Sequence, residues 1–241
     1  MLSWLKRSSS SSKKPKGPGP FQVVPNVFIG SVLAANDREL LRLAGITHIL
    51  NLTGPVSATD PTPRYPDAFP GEFQYDNICL PDEVDQLIRP HFERAHAFID
   101  RALKGGGRVL VHCEAGISRS AAFLASWLMR RRGMVLRQSL AVIKAVKPDI
   151  GPNAGFFAQL YNYELELSQK GVLPASEVPS IGLKEYLLTQ MLEGPAQGLD
   201  KALVEQALIA NQLDPNRTLE ALLALQEDTK RGIGKKFSFK R

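Results

Sequence analysis

The chain is expected to fold as an α/β domain with one mostly parallel central sheet flanked by helices, followed by a small all-α segment. Three features of its 241 residues lead there. Between positions 21 and 170, short apolar runs alternate with helical stretches of about 10 to 15 residues, the pattern of a parallel sheet covered on both faces. One of those runs, Arg108 to His112 (RVLVH), passes straight into a glycine-containing loop and then into an apolar helix. Beyond position 182 only short amphipathic helical patterns occur.

The elements follow in order. Phe21 to Val24 and Val27 to Ile29 read as a hairpin turned at Pro25-Asn26, and Asp37 to Ala44 (DRELLRLA) reads as a helix stopped by Gly45. Ile46 to Leu52 has the composition of a strand. Residues 54 to 71 hold five prolines and no periodicity, which marks a long surface loop before a strand from Phe73 to Leu80. A helix is expected from Ile88 to Leu103, with Phe92, Ala95, His96 and Ile99 on one face and Gly105-Gly106-Gly107 ending it. After the strand Arg108 to His112 comes a helix whose Ala121, Phe123, Leu124, Ala125, Trp127, Leu128 and Met129 are apolar almost all round, so it belongs at the centre of the domain. Arg130, Arg131 and Arg132 close that helix at its negative dipole end, just before Gly133. Leu136 to Val146 and Ala154 to Leu167 complete the unit.

At 44% hydrophobic and 22% charged residues, with no uninterrupted apolar run of about 18 residues, the composition is that of a globular chain without a transmembrane segment. Two cysteines, Cys79 and Cys113, exclude a disulfide scaffold and a cysteine-rich zinc module, so reduced thiols and a cytoplasmic or nuclear location are expected. Cys79, between Ile78 and Leu80, reads as a small buried strand residue. The formal charge of +6 comes from the ends. Met1 to Asn36 carries five basic residues and Thr229 to Arg241 six, both without acids; the body between has nineteen basic residues against 24 acids, about −5. No nucleic-acid partner is expected of such a body. Residues 1–20 read as a disordered Ser/Pro/Gly-rich basic tail, open to three readings: a solvated linker, a nuclear-import or anionic-surface patch, or a mitochondrial presequence.

The segment His112-Cys113-Glu114-Ala115-Gly116-Ile117-Ser118-Arg119-Ser120 carries the chemistry. Between a buried strand and a helix N-terminus, the backbone N–H groups of Glu114, Ala115, Gly116, Ile117 and Ser118 can turn inward around an oxyanion, aided by the helix dipole. Gly116 allows the φ > 0 turn, and the Arg119 fork can hold two oxygens at once. Cys113 at the bottom of this cradle is expected to be a thiolate, a nucleophile able to attack phosphorus and form a cysteinyl-phosphate that water hydrolyses. Ser120 is placed to hydrogen-bond the sulfur, and His112 to set the loop through its ring N–H. The leaving oxygen also needs a proton donor. No metal or cofactor is called for.

HCEAGISRS, followed by AAFLASWLMRRRG, resembles the signature of the dual-specificity branch of the protein tyrosine phosphatases, over roughly Phe21 to Lys170. The resemblance implies that Asp82 in NICLPDEVDQLIRPHFERAHAFID is the general acid, ten residues before Phe92, with Asp85 as the fallback and Glu83 after it. It also implies that Asn153 in IGPNAGFFAQLYNYELEL braces the phosphate loop; an N-cap for the following helix is the competing reading, compatible with the same placement. Lipid phosphatases of the superfamily carry lysines in this loop and glucan phosphatases a glycine before the arginine, whereas this chain has Glu114, Ala115, Ile117 and Ser118. A phosphoprotein substrate, with phosphotyrosine, phosphoserine and phosphothreonine all accepted, is what the resemblance implies. The alternative class is a phosphoprotein-binding adaptor with secondary or lost catalysis, against which the intact Cys113, Arg119, Ser120 and Asp82 argue.

Residues 171–182 have linker composition and 229–241 form a basic tail. Within 183–228, KEYLLTQML, DKALVEQALIANQL and RTLEALLALQ give three helices, the third signalled by Asp214-Pro215, with Ala207, Leu208, Leu219, Leu222 and Leu223 able to close a small core. ALIANQLDPNRTLEALLAL is similar to ubiquitin-associated three-helix modules, which implies ubiquitin or another protein as a partner. Such modules carry a Met-Gly-Phe-type loop where this chain has Met191-Leu192-Glu193-Gly194, and a helical extension packed on the catalytic domain is the other reading.

Overall fold

The computed structural model describes residues 17, 19–176, 183–193, 196, 198–211 and 215–230. Five short strands form one sheet: β1 (Phe21–Val24), β2 (Val27–Gly30), β3 (His48–Asn51), β4 (Gln74–Asn77) and β5 (Val109–His112), in the order β1-β2-β5-β3-β4. Only the β1–β2 hairpin is antiparallel, turning through Asn26 at φ 66°; β2, β3 and β4 join the sheet in parallel. Central β5 is paired on both edges, Leu110 opposite Phe28 on one side and Ile49 on the other.

Side-chain alternation builds a core on each face. Val27 and Ile29, Leu50, and Val109 and Val111 point to one side, whereas Phe28, Ile49 and Leu110 point to the other. This period of two inside continuous apolar runs is why the strands read as uniformly hydrophobic in the sequence. The larger core is closed by α3 (Phe92–Lys104), α4 (Arg119–Arg132), α5 (Leu136–Val146) and α6 (Ala154–Gln169). The smaller one lies under two short helices, α1 (Val32–Ala35) and α2 (Arg38–Leu43), which contribute Ala35 and Leu41. The Asp37 side chain caps α2 by accepting the Leu40 N–H at 3.0 Å.

Several sequence expectations shift. The strand expected over Phe73 to Leu80 is only Gln74–Asn77, so Cys79 lies beyond it and is half-buried rather than a core strand residue. Its neighbours Ile78 and Leu80 are buried beyond the end of the strand, which apolar content alone does not distinguish from a strand. The helix expected from Ile88 begins at Phe92, because Pro90 confines Arg89–His91 to a single 3-10 turn. Helix α1, only four residues long and without a side-chain cap, has no counterpart among the sequence expectations. The α4 side chains from Ala121 to Met129 are all buried, and Trp127 donates from its ring N–H to Asp100 at 2.9 Å. Two of the three arginines ending α4 also find partners: Arg131 pairs with Asp100 at 2.6 Å, and Arg132 lies over the Trp127 ring.

The C-terminal segment forms α7 (Leu183–Glu193), α8 (Lys201–Ala210) and α9 (Pro215–Lys230). Pro215 opens α9 as expected, while Asp214 falls outside the described residues. Asp200 caps α8 by accepting the Leu203 N–H at 2.9 Å. Ala207, Leu208 and Leu222 are buried and Leu219 is partly so, but Leu223 is 51% exposed and does not belong to the core proposed for it. Leu187, Leu188, Met191, Val204, Ala207, Leu208 and Leu222 are contiguous with the apolar cluster of the larger core. No helix among the described residues is long and apolar enough to cross a membrane.

A buried histidine is expected to make the fold acid-sensitive. Ser126 donates its hydroxyl proton to the Phe123 carbonyl at 2.7 Å, so the same oxygen accepts from His96 Nε2 at 2.9 Å. Burial, reinforced by the charges of Arg131, Arg130 and Arg89, pushes His96 down to about 3; burial also pushes His112 down to about 4. Both rings are therefore neutral in the folded chain at a pH where unfolded histidine, at 6.5, already binds protons. Stability is expected to be full above about pH 6.5 and to fall as pH drops from there toward 4. Urea midpoints at pH 7.5 and 5 test this. The drop should be smaller in His96→Phe, and an equal drop would show that His96 does not carry it.

Candidate active site

The C-terminal ends of parallel strands are where an open α/β sheet leaves its crevice, and β5 ends there at His112. Cys113 to Ser118 form the loop from β5 to α4, and three backbone bonds anchor it. The Glu114 carbonyl accepts the Val32 N–H at 3.0 Å, the Ile117 carbonyl that of Gly151 at 3.1 Å, and the Ser118 carbonyl that of Ala122 at 2.9 Å. The N–H groups of Glu114 to Ser118 donate to no backbone carbonyl among the described residues, so they stay available to an oxyanion at the start of α4. Gly116 takes φ 72°, and a Cβ there would stand 2.5 Å from the Gly30 carbonyl oxygen. Both the backbone twist and the close approach of β2 thus require glycine.

Cys113 is 1% exposed, with its Sγ 3.4 Å from Ser120 Oγ. His112, also buried, has Nδ1 at 3.4 Å from the Cys113 carbonyl, a long contact in which the neutral ring can donate. Burial is the main reason this ring stays neutral; the carbonyl opposes the shift and the Arg119 charge adds to it. Arg119 is 5% exposed and donates from Nη1 to the Leu80 carbonyl at 2.9 Å. Its Nε lies 3.3 Å from Asp82 Oδ2, a charge contact whose geometry is not that of a hydrogen bond, so this buried donor has no acceptor among the described residues. A buried guanidinium N–H held without an acceptor beside a ring of amides is suited to an anion.

Of the three carboxylates on the loop after Leu80, Asp82 is the one that meets Arg119. Its Oδ1 accepts from Ser118 Oγ at 2.6 Å and from Asn153 Nδ2 at 2.8 Å. Asn153 makes bonds in three directions. Its Oδ1 caps α6 by accepting the Phe156 N–H at 2.9 Å, its Nδ2 holds Asp82, and its backbone N–H donates to Ser118 Oγ at 3.2 Å. Brace and cap are compatible because the two ends of one amide face opposite ways. The loop carrying Asp82 also lies directly on α6: a Cβ at Gly155 would stand 1.6 Å from the Val84 carbonyl oxygen.

Sequence reasoning missed two supports. Gln159 on α6 accepts the Ile88 and Arg89 N–H groups at 2.8 and 3.1 Å and donates to the Gln86 carbonyl at 2.8 Å, which fixes the far end of the loop carrying Asp82. Tyr65, in the proline-rich loop, donates its hydroxyl to Glu114 at 3.2 Å. A glutamine inside a helix and a tyrosine in a loop carry no local signal of either role.

Residues 27–166 match the family model described as dual specificity phosphatase, catalytic domain. The chain is 38% identical over 162 residues to mouse dual specificity phosphatase 28, which covers 67% of this chain and 94% of that relative. It is also 38% identical over 158 residues to MAP kinase phosphatase with leucine-rich repeats protein 3 of Dictyostelium discoideum; this covers 65% of this chain but only 17% of that much longer protein. Among solved structures, a mouse putative dual specificity phosphatase complexed with zinc tungstate superposes with a TM-score of 0.56 at 36% identity, covering 69% of this chain and 99% of that one.

Proposed function

The chain belongs to the dual-specificity protein phosphatase family, and on that premise we propose that it hydrolyses phosphotyrosine and phosphoserine or phosphothreonine in proteins through a cysteinyl-phosphate intermediate. One observation carries this reading: Cys113 is buried at the start of a loop whose N–H groups donate to no backbone carbonyl, and the buried Arg119 Nε has no hydrogen-bond acceptor, among the described residues. The similar mouse putative dual specificity phosphatase was solved in complex with zinc tungstate, whose anion is tetrahedral like phosphate, in keeping with this reading.

In the first half-reaction Cys113 Sγ attacks phosphorus, the S–P bond forms, and the P–O bond breaks as the leaving oxygen takes a proton from Asp82. The amides of Glu114 to Ser118 and the Arg119 fork hold the phosphoryl oxygens as charge spreads over them. In the second half-reaction Asp82 takes a proton from water, the water oxygen bonds phosphorus, and the S–P bond breaks. Ser120, whose Oγ is 3.4 Å from the sulfur, hydrogen-bonds the departing thiolate. His112 keeps the Cys113 carbonyl oriented, and Asn153 holds Asp82. A protein substrate fits a loop without lysine, at which Glu114 is pinned by Tyr65 and would repel a polyphosphorylated headgroup.

We read residues 21–170 as the catalytic domain. Within 183–228 the contiguity of buried apolar side chains with the catalytic core favours a helical extension over a separate ubiquitin-associated-like module.

The acid assignment has its own test. Asp82→Ala should lower kcat on phenyl phosphate by about 10²-fold or more, with much less loss on a difluorinated umbelliferyl phosphate, whose leaving group departs without a proton. A full rate on phenyl phosphate would move the role to Asp85.

A further inference from the structure

We propose that Glu114 selects the chain segment around the phosphorylated residue by pairing with a lysine or arginine next to it, and that Tyr65 is the positioning residue that presents the Glu114 carboxylate. The inference rests on the reading of the chain as a protein phosphatase and adds which phosphoproteins suit the site: those whose phosphorylated residue has basic neighbours.

Glu114 directly follows the nucleophile, so its amide belongs to the cradle, while its half-buried side chain reaches the loop of residues 54–71. Two hydrogen bonds fix where the carboxylate lies. The Glu114 carbonyl accepts the Val32 N–H at 3.0 Å, which holds its backbone at the start of α1, and its Oε1 accepts the Tyr65 hydroxyl at 3.2 Å. Tyr65 is anchored in turn. Residues 54–64 double back on themselves, the Gly54 carbonyl accepting the Arg64 N–H at 2.8 Å, and the Tyr65 carbonyl accepts Asn51 Nδ2 at 2.8 Å. Asn51 is buried at the end of β3, opposite His112 on β5, so the tyrosine is tied to the sheet beside the residue that precedes Cys113.

A carboxylate offers about four acceptor positions, and one of those of Glu114 is used among the described residues. It forms no ion pair there, and Arg64, adjacent to Tyr65 in the chain, makes none with it. A phosphoryl group brings about −1.5 to −2 of charge at pH 7. A fixed negative charge beside the nucleophile opposes that group, and the opposition is relieved when the ligand brings a cation of its own. One loop thus makes two demands: the buried Arg119 Nε lacks an acceptor, and the Glu114 carboxylate lacks a cation. A phosphopeptide with lysine or arginine beside the phosphorylated residue meets both, its phosphoryl oxygens at Arg119 and the amides, its ammonium or guanidinium at Glu114. An acidic neighbour adds to the repulsion instead.

The test measures kcat/KM for the wild type, Tyr65→Phe, Glu114→Gln and the double variant. The substrates are three phosphotyrosine peptides of one sequence, in which the two residues on each side of the phosphotyrosine are all Lys, all Gln or all Glu. The wild type should prefer the Lys peptide over the Gln peptide by about fivefold, and the Gln peptide over the Glu peptide, with both preferences shrinking in about 0.5 M NaCl. Glu114→Gln should bring the Lys-to-Gln ratio below about twofold, and Tyr65→Phe should roughly halve it. A general loss of rate from a merely structural role cancels out of a ratio taken within one enzyme. In the Glu114→Gln background, Tyr65→Phe should leave the ratio unmoved, because a group that acts only through the carboxylate has nothing left to position. Equal rates of the wild type on the three peptides, a preference for the Glu peptide, or an unchanged ratio in Glu114→Gln would each overturn the role of Glu114; an unchanged ratio in Tyr65→Phe overturns that of Tyr65. Phenyl phosphate has no neighbouring residues and reads hydrolysis alone. Its hydrolysis together with equal peptide rates overturns the selectivity and leaves the phosphatase reading standing, whereas hydrolysis of neither phenyl phosphate nor any peptide overturns both.

Discussion

Cys113→Ser is expected to cut hydrolysis of phenyl phosphate by on the order of 10³-fold or more in metal-free buffer, because no other thiol is placed to replace the nucleophile. Cys79, the second cysteine, lies beyond the end of β4, and burial raises its thiol rather than favouring the thiolate. The serine variant keeps the loop amides and Arg119, so it should still bind phosphate or tungstate. Binding without turnover separates loss of the nucleophile from loss of the fold. Turnover at the wild-type rate by Cys113→Ser would remove the cysteinyl-phosphate mechanism, since a neutral hydroxyl buried in the same place has no comparable nucleophilicity at pH 7.

Arg119→Lys should cost about 10²- to 10³-fold in kcat with the charge retained, the loss ordinarily seen when one donor to a developing oxyanion is removed. The guanidinium is positioned by its Nη1 donation to the Leu80 carbonyl at 2.9 Å, which turns Nε toward Asp82 and the cradle. A lysine amine has one nitrogen to divide between that carbonyl and the phosphoryl oxygens, and it lacks the planar fork that could serve both at once. Steady-state kinetics on phenyl phosphate, with inhibition by inorganic phosphate measured alongside, reads both consequences. A lysine variant of near wild-type rate would mean that charge alone, and not the fork, stabilises the transition state.

Much of the fold is legible because it rests on short-range patterns. The alternation of Phe28 against Ile29, Ile49 against Leu50, and Leu110 against Val111 places each side chain in one of two cores. The start of α5 at Leu136 and the Asn153 cap of α6 fall where local rules put them. What local rules missed is local weakness. Helix α1 has four residues and no side-chain cap, and β4 has four strand residues in an apolar stretch that continues past it. Leu223 lies at an apolar position of α9 yet is exposed.

The placement of Cys113, the proposed nucleophile, and of Arg119, Ser120 and Gly116 is determined by the sequence alone, since they occupy one nonapeptide between a strand and a helix and their spacing is their geometry. The partners of that loop were decided only by tertiary structure. Asp82 meets Ser118 across 36 residues and Asn153 across 71, and Gln159 reaches Ile88 across 71. Separations of that length leave no periodicity to read. They arise from packing α6 against α4 and the 3-10 turn at Arg89–His91, which brings one amide, one hydroxyl and one guanidinium around Asp82 and leaves the side chains of Glu83 and Asp85 outside.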